Sequence, residues 1–136
     1  MQENNESADT KELSSFRDFT TREKSNKGFK MPIPGTKEHL TILGSDSDAF
    51  ITKRNEIIRE LSEQMQGDEE KKLSDEEIDA RAHKNRLRQL AVLVVGWSFK
   101  EECNEENVLI MLGDAPYIAD LVDREAGRTK NFLGKN

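Results

Sequence analysis

The segment Leu90–Phe99 reads LAVLVVGWSF, an unbroken apolar run closing on Gly-Trp inside a 136-residue chain that is 35% charged. Such a run can be a membrane span, a buried strand or the buried part of a helix, and the choice constrains everything else. A spanning helix needs about 20 mainly apolar residues. This run is shorter, with Arg86 and Arg88 before it and Lys100, Glu101 and Glu102 behind. No membrane span is expected. The opening MQENNESADTKELSS has no apolar stretch and does not read as a signal peptide. A soluble intracellular protein is expected.

The residues upstream favour a helix for the run. Ser74-Asp-Glu-Glu77 is a capping box, in which the Ser74 hydroxyl and the Glu77 carboxylate satisfy backbone N–H groups at a helix start. Ile78, Ala82, Leu87, Leu90, Ala91 and Val94 then recur at helical spacing. The reading is one long helix, 75–99, that becomes apolar all round as it enters the centre of a bundle. A strand remains open for Ala91–Val95 alone.

Elsewhere the same rules give shorter elements. Residues 1–26 are polar and are read as a flexible arm, with at most a helical turn around Leu13–Phe19. Two apolar runs flank Pro34-Gly35 and predict a β-hairpin over 28–43; Pro32 confines its first strand to a sheet edge. Ser45 or Ser47 caps a helix over 47–66, with Asp46 and Asp48 at its positive end and Phe50, Ile57, Ile58, Leu61 and Met65 on one face. Asn104 caps a helix over 105–112 that Gly113 stops. Pro116 sits in the first turn of a last helix, 115–128. Phe132 and Leu133 fold back on the core, and 134–136 is a tail. The fold class is mainly α, a small N-terminal β-hairpin packed on a bundle of about four helices, with one domain over 27–133.

No catalytic, cofactor-binding or metal-binding residues are assigned, and the chain is read as not an enzyme. His39, His83 and Cys103 have no partner at a ligand spacing. The Asp46-x-Asp48 pair is explained by helix capping. Phosphate-binding glycine loops and nucleophile elbows are absent. Arg81, Lys84 and Arg88 share a helix face, but bases late in a helix complement its dipole, and a net charge of −6 opposes a nucleic-acid role. Trp97 is read as a buried anchor between helices, and Cys103 as structurally neutral.

Two segments resemble the tail assembly chaperones of long-tailed, siphovirus-type bacteriophages. One is GFKMPIPGTKEHLTILGSDSDAF, a hairpin followed by an L-G-x-D-S-D-x-F entry to a charged helix. The other is LAVLVVGWSF with NEENVLIMLGDAPYIADLVDREAGRTKNFL. The similarity covers roughly residues 22–133; the KEEC link after Gly-Trp is shorter than the family pattern. It implies a factor of the host cytoplasm, absent from the finished virion, that coats the tape measure protein and promotes tail tube assembly. It implies self-association into open oligomers, no nucleic acid, no membrane and no cofactor. A longer form made by a −1 frameshift near Leu133-Gly134-Lys135-Asn136 would recruit the major tail tube protein. The alternatives are a structural head–tail connector or other tail component, and a regulatory module using Arg81–Arg88 on nucleic acid.

Overall fold

The computed structural model describes residues 15–67 and 72–133. Most of the arm predicted over 1–26, its Leu13 and Ser14 included, and the 134–136 tail with its frameshift site lie outside those residues. The rest of the arm is ordered. A 3-10 turn spans Phe16–Phe19, and helix α1 spans Arg22–Lys27.

The hairpin forms as the sequence predicts, with β1 over Phe29–Pro32 and β2 over His39–Ile42, antiparallel and in the register Phe29↔Ile42 to Pro32↔His39. Gly28 introduces it at φ 81°; a side chain there would stand 2.6 Å from the Ile42 carbonyl oxygen. Helices α2, Asp48–Gly67, and α3, Asp75–Ala91, follow. The Ser74 capping box is present in both directions, Glu77 N–H to Ser74 Oγ at 3.1 Å and Ser74 N–H to Glu77 Oε1 at 2.9 Å.

The apolar run does not continue this helix. It ends at Ala91, turns, and becomes strand β3, Val94–Trp97, antiparallel to β2. Sheet order is β1-β2-β3. Leu43 N–H donates to Leu93 O at 2.8 Å and Ser98 N–H to His39 O at 3.1 Å, bracketing the pairing. The physical reason lies in the hairpin: two strands alone are marginal, and a third strand satisfies the second edge of β2. Val94 and Val95 also prefer extended backbone.

Asn104 caps α4, Glu105–Asp114, accepting from Asn107 N–H at 2.9 Å. Gly113 does not stop it. The break falls at Ala115, whose φ of −128° and ψ of 73° lie outside the helical region that a following proline disfavours. Pro116 then opens α5, Pro116–Ala126.

The core lies where the sheet meets α4, α5 and the end of α3. Leu40, Ile42, Leu93, Leu112 and Val122 are all fully enclosed. Phe132 folds back as expected and meets Phe29 edge-to-face at 5.1 Å. The architecture is therefore mainly α with a small three-stranded antiparallel sheet. Among the described residues no helix is long and apolar enough to cross a membrane.

Helix α1 is fastened to the start of α2. Thr21 and Ser25 hydroxyls donate to the Asp46 carboxylate, and Arg22 Nη2 lies 2.6 Å from Asp48 Oδ1. Asn26 Nδ2 donates to Asp48 Oδ2 at 3.1 Å. Ser25 is buried against Gly44, where any side chain would collide with its hydroxyl. Capping alone therefore does not account for Asp46-x-Asp48: both carboxylates bind α1. Burial raises the Asp46 carboxyl, but the hydrogen bonds from Ser25 and Thr21 outweigh it and hold the group below the usual carboxylate range. A depressed native pKa contributes stability above the unfolded-state pKa, about 4, and that contribution is lost as pH falls through the native value. Acidification below about pH 4 is expected to release α1, read as loss of amide-exchange protection over Arg22–Lys27, and Asp46→Asn to release it at neutral pH.

Candidate interaction groove

The outer halves of α2 and α3 stand apart from the core. Ile57 is the one buried residue of α2, and Leu90 and Ala91 are the only ones of α3. The two helices run antiparallel: Arg88, late in α3, meets Glu60, whereas Met65, near the end of α2, shares a groove with Ile78, near the start of α3.

One face of this pair is polar. Arg88 forks onto Glu60, Nη1 to Oε1 at 2.8 Å and Nη2 to Oε2 at 3.0 Å, and lies 3.6 Å from Glu56. That bidentate bond holds the Glu60 carboxyl below its usual range. Arg81, Lys84 and Arg88 do share a face, as predicted, and Glu60 and Gln64 of α2 line the same shallow depression. For Arg88 the work is to tie two helices together, beyond balancing a dipole.

A second depression is mainly apolar at its base. Leu61, Met65, Leu73, Ile78 and Ala82 line an open groove of about 760 Å³, with Arg81, Asn85, Arg86 and Gln89 along its wall; Arg81 and Asn85 border the polar depression as well. Met65 is 69% exposed and Ile78 50%, with no core layer over them. Arg86 is tied to α5, its Nη2 shared by Asp120 at 3.0 Å and Asp123 at 3.2 Å. Sequence periodicity placed Leu61 and Met65 of α2, and Ile78 and Ala82 of α3, on core-facing stripes. The stripes are real, but they extend beyond the core they were assigned to.

The remaining candidates do not assemble into a site. Trp97 lies on β3 instead of between helices, half-buried, packed on Phe99 at 5.1 Å and donating to the Glu101 carbonyl at 2.7 Å. Cys103 borders a cavity of about 220 Å³ between β3 and α4, and burial pushes its thiol up. Among the described residues no three His, Cys, Asp or Glu side chains gather to hold a metal. The chain matches no protein-family model, no curated protein and no solved structure.

Proposed function

We propose that this protein is a phage tail assembly chaperone that binds helices of the tape measure protein through the α2–α3 groove. The carrying observation is the groove itself: about 760 Å³, floored by apolar side chains, and set between two helices that the Arg88–Glu60 pair ties together. An amphipathic helix seats its apolar stripe in such a groove and loses its tendency to aggregate. The acidic exterior keeps the complex soluble. Work of this kind is binding and displacement. The chaperone acts in the host cytoplasm, leaves before the particle is complete, and engages the tail tube protein through a longer frameshifted form.

Co-expression with the tape measure protein tests the reading. The expected result is a soluble complex during assembly and no trace of the chain in mature particles. Met65→Lys with Ile78→Lys should lose the complex while changing stability by only about 0.5 kcal/mol per site, since both side chains are exposed. A chain retained stoichiometrically in the virion would identify a connector instead.

A further inference from the structure

From Glu101 to Asp123 the chain carries seven Asp and Glu residues and no Lys or Arg, and all seven are exposed. Three of them have a cation nearby: Asp120 and Asp123 hold Arg86, and Glu105 acts on Arg88. The side chains of Glu101, Glu102, Glu106 and Asp114 have no cationic partner among the described residues. Unpaired acids on a helix are ordinarily a solvated face. Here apolar side chains stand between them. Ile110 lies one turn from Glu106 and one turn from Asp114. It points away from the buried Val108 and Leu112 of α4 and is 54% exposed. Tyr117, the only tyrosine, is 66% exposed in the first turn of α5.

Gly113 lies between the two in sequence, in the last turn of α4, where a glycine weakens the helix. Packing does not require it. A side chain at Gly113 would meet only Leu87 Cδ1, at 3.8 Å, which is an ordinary contact. Its bare backbone leaves a notch beside Ile110.

We infer that this face docks a basic amphipathic helix of another protein, with an apolar side chain entering the Gly113 notch and flanking Lys or Arg side chains meeting Glu106 and Asp114. None of these residues lines the α2–α3 groove, and the contact stands whatever that groove holds.

Charge selects the occupant. Glu106 and Asp114 are about 12 Å apart along the helix axis at 1.5 Å per residue. Carboxylates so spread do not suit a metal ion, and among the described residues no three His, Cys, Asp or Glu side chains gather to hold one. Nucleic acid and anionic bilayers carry the same sign of charge as this face and are repelled. A helix with cations spaced along it matches the span, and its side-chain ridge packs beside the Ile110 row. Two exposed side chains supply far less than the roughly 800 Å² per partner of a stable complex. The contact is accordingly weak, with charge chiefly speeding the encounter.

Methyl NMR of the full chain, titrated with a synthetic amphipathic leucine–lysine helix as the probe, tests this. Saturable shifts are expected at Leu109, Ile110 and Met111, and none there with the leucine–glutamate peptide of the same pattern. Affinity should fall about tenfold between ~0.05 and ~0.5 M salt. Glu106→Gln with Asp114→Asn, and separately Ile110→Ser with Tyr117→Ser, should each weaken binding about tenfold. All four side chains are exposed, so both variants should fold. Met65→Lys with Ile78→Lys, which disables the groove, should leave the shifts at Leu109 and Ile110 as in wild type. Shifts confined to Leu61, Met65 and Ile78 would overturn the inference. Equal binding of the acidic peptide, or wild-type affinity in either α4–α5 variant, would do the same. Shifts at Ile110 on concentrating the protein alone would make a second copy the occupant and overturn it too.

Discussion

Leu90→Asp is expected to abolish cooperative folding at neutral pH. Leu90 is 3% exposed, at the point where α3 runs into the core beside Leu93 and Val94. The substitution loses about 1.5–3 kcal/mol of side-chain burial. It also puts a carboxylate into an apolar layer, where the penalty is several kcal/mol or the group takes up a proton. Together these rival the whole stability of a small domain, about 5–15 kcal/mol. Val94→Asp, at 6% exposed on β3, should behave alike. Ile58→Asp is the control: Ile58 belongs to the apolar stripe of α2 but is 56% exposed. Thermal melting should show no transition for the first two and a near-normal one for the third. Normal melting of Leu90→Asp would refute the burial assignment.

Phe132→Ala is the second large effect expected. Phe132 is buried at the far end of the chain and abuts the Phe29 ring on β1, so it clamps the C-terminal segment to the sheet edge. Asn131 positions it, its amide donating to the Glu125 carbonyl at 2.9 Å and carboxylate at 3.0 Å. Deleting a buried phenylalanine ring costs about 3–5 kcal/mol. For a domain of this size the melting midpoint should fall by about 10–20 °C. Lys130→Ala, exposed in the same turn, should leave it unchanged.

Local rules read well from this sequence wherever local chemistry decides. The Ser74 and Asn104 caps, Pro116 at the start of α5, the Pro34-Gly35 turn and the return of Phe132 are all where their residue types place them. The two largest departures are both non-local. Helix periodicity carried through Val94 because nothing in LAVLVV marks where the chain must turn; the demand for a strand comes from β2, some fifty residues earlier in the sequence. The polar arm was read as flexible because α1 has almost no apolar content. Its anchors are hydroxyl, amide and guanidinium groups matched to Asp46 and Asp48, a pairing that no spacing rule announces. The groove was half legible. Leu61 and Met65 were read on the apolar stripe of one helix and Ile78 and Ala82 on that of the next, but a stripe looks the same whether a core or a partner covers it. Only the length of α2 and α3 relative to the core they meet separates the two cases.

The proposed function requires a client helix in the α2–α3 groove. Methyl NMR of the full chain, titrated with a helical tape measure segment, addresses it most directly. Saturable shifts are expected at Leu61, Met65, Leu73, Ile78 and Ala82, with the core methyls of Val108, Leu112 and Val122 unmoved. Shifts confined to another surface, or none at saturating segment, would contradict it.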